Sequence, residues 1–201
     1  TLIARSQEKL DSTRSELAQN NDQNHSTVCA DFDEPETLKE KVNSLIRMLG
    51  KPVDILVNNS GGPRGGTLIE AEEDEFRTAF ERLLICNHIM AKAVVPGMKE
   101  QGSGRIINII STSVRQVIPG LGVSNTIRGS VAQWGKTLAI ELGEYGICVN
   151  NILPGYTATA RLQDLADSKA ETMGVTSDQI RDDWAKNTSL KRLGTPDEIA
   201  S

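Results

Sequence analysis

The sequence STSVRQVIPGLGVSNTIR, residues 111–128, joins two segments that together indicate the class of fold. The segment GRIINII before it, residues 104–110, is short, apolar and rich in isoleucine, which is typical of a buried strand. After it, apolar residues recur at spacings of three and four, which predicts a helix with a wide apolar face through Ile127, Val131, Trp134, Leu138 and Leu142. Two serine hydroxyls and a guanidinium lie on this connection, at Ser111, Ser124 and Arg128.

The same alternation of strand and helix runs along the whole chain. Short apolar runs predict five strands, at residues 1–4, 26–30, 54–58, 104–110 and 148–153. Amphipathic patterns predict helices at 35–49, about 72–99 and 125–142, and helical pieces of a plausible lid near 162–173 and 177–185. We therefore expect an α/β fold, a Rossmann-like doubly wound parallel sheet with helices on both faces. The unbroken apolar run at 54–58 predicts a strand buried on both faces.

Polar residues and glycines follow each of the five predicted strands. In a doubly wound sheet, ligands bind beyond the carboxyl ends of the strands. The shared placement of these residues therefore predicts one binding site, formed by Arg5, Asp31, Asn58, Asn59, Ser60, Gly61, Ser111, Pro154 and Gly155.

Composition limits the classes of function. The chain has 201 residues, enough for one domain, and its net charge of -5 with scattered basic residues argues against nucleic acid as a partner. No apolar run is long enough to span a bilayer, so no membrane partner is expected. The odd number of widely spaced cysteines, Cys29, Cys86 and Cys148, predicts buried thiols in a reducing compartment and hence a cytoplasmic location. No metal-ligating pattern is expected from them.

Four motifs carry a resemblance to a known family. They are NNSGG at 58–62, GRIINIIS at 104–111, KTLAIELGEYGICVNNILPG at 136–155 and LKRLGTPDEIA at 190–200. In order and spacing the chain resembles the short-chain dehydrogenase/reductase family, and within it the members similar to 3-oxoacyl-carrier-protein reductase. The resemblance implies an NAD(P)-dependent oxidoreductase that moves a hydride between nicotinamide and a small carbonyl or alcohol substrate, such as a 3-oxoacyl compound.

The resemblance also implies a set of cofactor-binding residues. NNSG resembles the family's NNAG, whose backbone and amide groups shape the adenosine side of the cleft, at Asn58, Asn59, Ser60 and Gly61. Its turn-forming residues are equally typical of a structural turn, and the two roles are compatible.

Three further segments have expected contacts with the cofactor. Asp31 resembles the residue that contacts the adenine, although a cap for the turn before Pro35 would look the same. Arg5 stands where a basic residue faces the 2′-phosphate, which favours NADP and leaves NAD possible. Pro154 and Gly155 with Thr159 resemble the segment that lies against the nicotinamide carboxamide.

The catalytic pattern departs from that of the family. Family members have a serine at the strand end, a tyrosine 13 residues later and a lysine four residues beyond; here these positions are Ser111, Ser124 and Arg128. The family's asparagine on the preceding helix falls at Leu83, with Asn87 one turn further on. An aliphatic hydroxyl is a far weaker acid than a phenol, and an arginine does not replace a compact ammonium.

Two classes of function therefore stay open. One is an oxidoreductase with an altered acid, in which Ser111 and Arg128 stabilise an oxyanion, or Tyr156 or His88 supplies a proton. The other is a catalytically impaired sensor or structural protein that keeps the cofactor cleft.

The resemblance also implies parts of the fold outside residues 1–201. We expect this stretch to be one Rossmann-like dinucleotide-binding domain that lacks its first strand, with the glycine-rich turn after it, and its last strand. The first strand would lie between the strands at 1–4 and 54–58. A homo-oligomer, dimer or tetramer, is expected at full length.

Overall fold

The computed structural model describes residues 1–18, 20 and 23–201. Five strands are present, β1 (Leu2–Ala4), β2 (Thr27–Cys29), β3 (Ile55–Asn58), β4 (Gly104–Ile109) and β5 (Ile147–Ile152). The α-helices are α1 (Gln7–Glu16), α2 (Pro35–Leu49), α3 (Glu73–Phe80), α4 (Cys86–Gln101), α5 (Gly122–Leu142), α6 (Ala160–Met173), α7 (Ser177–Lys186) and α8 (Pro196–Ala200). Within the described ranges, no helix combines the length and apolar character that crossing a membrane requires.

The strands are parallel and form two sheets. β1 pairs with β2, and β3, β4 and β5 form a three-stranded sheet in that order. This confirms the predicted α/β, Rossmann-like architecture. Helix α2 begins at Pro35 and ends at Gly50, whose φ of 60° is the left-handed conformation that glycine adopts without steric cost.

The three-stranded sheet has one covered and one open face. Leu56, on the covered face, packs in the main core, whereas Ile55 and Val57 on the other face are 59% and 54% exposed. The prediction that this strand is buried on both faces was therefore wrong. An apolar run is typical of a strand that is covered on both faces. β3 is an edge strand, and nothing in the described chain covers its second face.

The open face also explains why one of the three cysteines is exposed. Cys86 is buried, Cys29 is half-buried, and Cys148 on β5 is exposed, so the prediction of three buried thiols was wrong for Cys148. Burial raises the pKa of the Cys86 thiol to about 12, and this thiol donates to the carbonyl of Phe32 at 3.2 Å.

Helices α2 and α4 pack over the covered face. Their fully buried side chains include Leu38, Val42 and Met98, which share one cluster with Ile106 of β4. A second cluster joins α5 to the end of α3 and the turn that follows it, with Ala79, Leu83, Val123, Ile127 and Val131 among its members. The core therefore fixes α5 against the carboxyl end of the sheet.

A row of three asparagines crosses the sheet beneath α5. Asn58, Asn108 and Asn151 occupy the same register position on β3, β4 and β5. The Asn58 amide donates to Asn108 at 2.9 Å, Asn108 donates to Asn151 at 3.0 Å, and Asn151 donates to the carbonyl of Ala132 in α5 at 3.0 Å. Each buried amide thus finds a partner, and the row ties the sheet to α5.

Helix α5 approaches this row closely at Gly135. A Cβ added there would lie 2.5 Å from Asn151 Oδ1 and 3.0 Å from Asn108 Nδ2. At Gly129, on the same helix, a Cβ would meet nothing within 4 Å.

These two glycines form a matched pair for a stability test. In the full-length protein we expect Gly135→Ala to lower the free energy of unfolding by about 1–3 kcal/mol, because the added methyl displaces the asparagine row. Gly129→Ala should raise it by up to about 1 kcal/mol, because alanine favours the helix. Urea unfolding measures both changes; equal effects at the two positions would contradict the close approach.

Candidate active site

The segments that follow β4 and β5 lie side by side. Ser111 comes directly after β4, and its hydroxyl oxygen accepts a hydrogen bond from the backbone N–H of Ser113 at 3.0 Å. The backbone N–H of Thr112 donates to the carbonyl of Pro154 at 3.1 Å. In the described part of the chain, the Ser111 O–H donates to no acceptor, so it is able to donate to a ligand.

Arg128 joins α5 to the end of β4. It lies one turn after Ser124, and its Nε donates to Ser124 Oγ at 3.3 Å. Its Nη1 donates to the carbonyls of Ile110, at 2.9 Å, and Ile109, at 3.3 Å. Burial lowers the pKa of Arg128, and the positive charge of Arg161 lowers it further. Ser111, Ser124 and Arg128 are therefore brought together at one end of the sheet.

The glycine-rich loop after β3 covers this arginine. A Cβ added at Gly62 would lie 3.2 Å from Arg128 Nη2 and 3.9 Å from Ser124 Oγ. Further along, Gly66 exchanges backbone hydrogen bonds with the segment before α5, accepting from Gly122 and donating to the Gly120 carbonyl. The loop is thereby held over the start of α5.

The NNSG residues have different surroundings. Asn58 is buried in the asparagine row, and Asn59 and Gly61 are exposed. The Ser60 hydroxyl donates to the carbonyl of Arg82 at 3.4 Å. Two of the four thus have structural contacts, and the other two face open space at the site.

The position predicted for the family's asparagine is apolar. Leu83 lies in a π-helical turn, Glu81–Ile85, and is buried in the cluster beneath α5. Asn87, one turn further on, is also buried, and its Oδ1 has no partner in the described chain. Leu83 offers no hydrogen-bonding group for a relay, as its identity predicts.

The same π-helical turn contacts the loop after β2. Arg82 pairs with Asp33, with Nη2 2.6 Å from Oδ2. This hydrogen bond is the largest contribution to the raised pKa of Arg82. Asp31 accepts from the backbone N–H of Asp33 at 3.0 Å, so it does cap its turn. Arg5 follows β1 and is exposed. Asp31 and Arg5 lie at the carboxyl ends of the two-stranded sheet, away from Ser124.

The two proposed substitute acids are engaged elsewhere. Tyr156 stacks on Trp184 of α7, with ring centroids 5.4 Å apart. His88 is the partner of the Trp134 indole N–H, at 3.4 Å. Trp134 lies ten residues beyond Ser124 on α5, which corresponds to about 15 Å along the helix axis. In the described part of the chain, no hydrogen bond joins either side chain to Ser111, Ser124 or Arg128.

Thr159 caps α6, the first of the two helices, α6 and α7, in the segment predicted to form a lid. Its hydroxyl oxygen accepts from the backbone N–H of Leu162 at 3.2 Å. A cavity of about 260 Å³ adjoins it, lined also by Gln163, Arg181 and Leu193. The cavity lies on the lid side, and Ser124 and Arg128 are not among its lining residues.

Three residues that contribute to the site or its support were not predicted from the sequence. Asn108 and Asn151 are polar residues inside apolar strands, a signal that points to a polar network. Arg161 carries no local signal, because its importance comes from a contact with Pro63, 98 residues away in sequence.

A parallel α/β sheet with hydroxyls and a cation at its carboxyl ends defines a Rossmann-like nucleotide-binding class. A sequence profile described as enoyl-(acyl carrier protein) reductase matches residues 1–201. The short-chain reductase protein NovJ of Streptomyces niveus is 36% identical over 151 residues, 74% of this chain and 55% of NovJ. The chain belongs to the short-chain dehydrogenase/reductase family.

Other similar proteins include a second reductase found by sequence and a reductase of known structure. The 3-oxoacyl-(acyl-carrier-protein) reductase FabG of Chlamydia muridarum is 30% identical over 148 residues, 74% of this chain and 55% of FabG. L-sorbose reductase from Gluconobacter frateurii, solved with NADPH and L-sorbose, superposes with a TM-score of 0.88 at 28% identity, over 99% of this chain and 76% of that one. The chain thus spans 55% of the length of NovJ and of FabG.

The contacts of Arg128 lead to a stability prediction. In the full-length protein, Arg128→Met should lower the free energy of unfolding by about 1–3 kcal/mol, because the carbonyl of Ile110 loses its charged donor. Lys136→Met, at an exposed position of α5, should change it by less than about 0.5 kcal/mol. Urea unfolding compares the two; equal stabilities would show that Arg128 does not hold α5 to β4.

Proposed function

We propose that the full-length protein is an NADP-dependent oxidoreductase that reduces a small carbonyl substrate, with Ser111, Ser124 and Arg128 at the reacting centre. The observation that carries the proposal is the convergence of these three residues at the carboxyl end of the sheet. Arg128 contacts both Ser124 and the strand end that leads into Ser111. NAD is the alternative cofactor.

The residues along the strand ends fit a dinucleotide. The space beside Gly61 is open, since an added Cβ would meet no described atom within 4 Å. The exposed guanidinium of Arg5 suits the 2′-phosphate of NADP, and the turn of Asp31 suits the adenine. The nicotinamide end is assigned to the segment from Pro154 through Gly155 to Thr159 and to Arg128. The sorbose reductase and a polyketide ketoreductase, each 28% identical to this chain, were solved with NADPH.

The bound cofactor would supply a hydride to the carbonyl carbon of the substrate. Ser111 would donate a hydrogen bond to the carbonyl oxygen, and Arg128 would stabilise the negative charge that develops there. The proton that completes the alcohol would come from the Ser124 hydroxyl, which would be reprotonated from water. Ser124 accepts a hydrogen bond from Arg128, which leaves its own O–H able to donate. A serine hydroxyl is a weaker acid than the phenol found in the family, so we expect slow turnover.

A cofactor-binding protein without turnover is the second candidate. The observation in its favour is that Nε and Nη1 of Arg128 are engaged with Ser124 and two backbone carbonyls. Only Nη2, against Gly62, then remains for a ribose hydroxyl.

NADPH oxidation by the full-length protein, followed by absorbance with a panel of carbonyl compounds, distinguishes the two. Turnover above the background that the Ser111→Ala variant shows would support the oxidoreductase. Tight NADPH binding without turnover of any compound would reject the oxidoreductase and support the sensor or structural role.

A double substitution tests how far the site has diverged. Ser124→Tyr with Arg128→Lys restores the family's acid and cation, and we expect at least a tenfold rise in kcat, on the order of what a general acid contributes. Steady-state kinetics measures the change. An unchanged rate, in a variant that still binds NADPH, would place the divergence elsewhere in the cleft.

The strands form two separate sheets, each with open edges. β1 and β3 are edge strands, and the exposed side chains of Ile55 and Val57 lie on the open face next to the second edge. We propose that a strand and its helix cover these groups in the full-length protein, which we expect to be a cytoplasmic homo-oligomer.

Truncation tests this part of the proposal. A polypeptide of residues 1–201 alone should melt broadly and bind NADPH weakly, because its two sheets are not joined by a strand and Ile55 and Val57 stay exposed to water. Calorimetry of this polypeptide and of the full-length protein provides the comparison. A sharp two-state melt of residues 1–201 would contradict the proposal.

A further inference from the structure

Arg161 links the first lid helix to the loop over the site. It is the second residue of α6, and its Nη2 donates to the carbonyl of Pro63 at 2.5 Å. Pro63 directly follows Gly62, where an added Cβ would lie 3.2 Å from Nη2 of Arg128. Two guanidinium groups therefore flank the segment Gly62–Pro63, one from the helix that carries Ser124 and one from the lid.

Neither arginine has an acidic partner in the described part of the chain. The ion pairs found there involve other residues. The guanidinium groups of Arg128 and Arg161 donate to one hydroxyl and to backbone carbonyls. Burial lowers the pKa of Arg128, and the nearby charge of Arg161 lowers it further. Arg161 is exposed, so water screens part of the repulsion between the two guanidinium groups, and an anion bound by both would remove more of it.

We propose that Arg161, together with Arg128, binds a carboxylate of the substrate, which would make the substrate a keto acid. The inference rests on the proposed function for its reacting carbonyl. A guanidinium presents paired N–H donors that match the two oxygens of a carboxylate. The phosphate that distinguishes NADP is assigned to Arg5 at the other sheet, so it does not neutralise this pair.

The consequence is a lid that responds to the charge of the substrate. Arg161 lies on α6, which packs on α7 through Ala166, Ala170 and Ile180. A carboxylate bound by Arg161 and Arg128 would therefore hold the helical pair against the loop at Gly62. A neutral ester of the same shape would lack this attraction.

Binding to the oxidised complex tests the proposal without turnover. Full-length protein saturated with NADP⁺ is titrated by calorimetry with a short series of 3-keto acids, beginning with acetoacetate, and with their methyl esters. We expect the acids to bind more tightly than the esters. Arg161→Gln should weaken binding of the acids by at least about tenfold, the size of a charge-assisted hydrogen bond, and leave the esters unchanged.

Arg64→Gln is the matched control, because Arg64 is exposed on the same loop. It should bind acids and esters as the unmodified protein does. Equal affinity for acid and ester, absence of binding by every acid, or equal losses in the Arg161 and Arg64 variants would overturn the proposal. Arg161-dependent binding of an acid in a protein that oxidises no NADPH would uphold it while rejecting the oxidoreductase.

Discussion

The hydrogen bonds from Arg128 to the end of β4 are the constraint on which the site depends. One guanidinium reaches the carbonyls of Ile109 and Ile110 and the hydroxyl of Ser124. It thereby fixes the distance between the strand that leads to Ser111 and the helix that carries Ser124. A flexible ammonium of the same charge would give fewer fixed directions, so the guanidinium of Arg128 determines the geometry of the site.

The asparagine row supports this constraint from below. Asn58, Asn108 and Asn151 lie in register, and the last of them bonds to α5 at Ala132, one turn after Arg128. Gly135 permits the close approach that this bond requires. Helix α5 is therefore bonded to the sheet at two points, through Arg128 and through Ala132. These bonds fix the positions of Ser124 and Arg128 near its start.

Much of this arrangement could be predicted from sequence, because it depends on local patterns. The spacing of apolar residues predicts α5, Pro35 and Gly50 bound α2, and counting from Ser111 locates Ser124 and Arg128. Long-range contacts were not predictable in the same way. The exposure of Ile55 and Val57 depends on what covers the sheet, and the stacking of Tyr156 on Trp184 and the contact of Arg161 with Pro63 depend on the fold.

The most direct measurement is a crystal structure of the full-length protein with NADPH. The account predicts that the nicotinamide end lies beside Ser111 and Arg128, with Arg128 still bonded to the carbonyl of Ile110 and Gly62 against its guanidinium. A structure in which NADPH binds away from Ser111, or in which Arg128 has left β4, would contradict the central claim that this arginine organises the site.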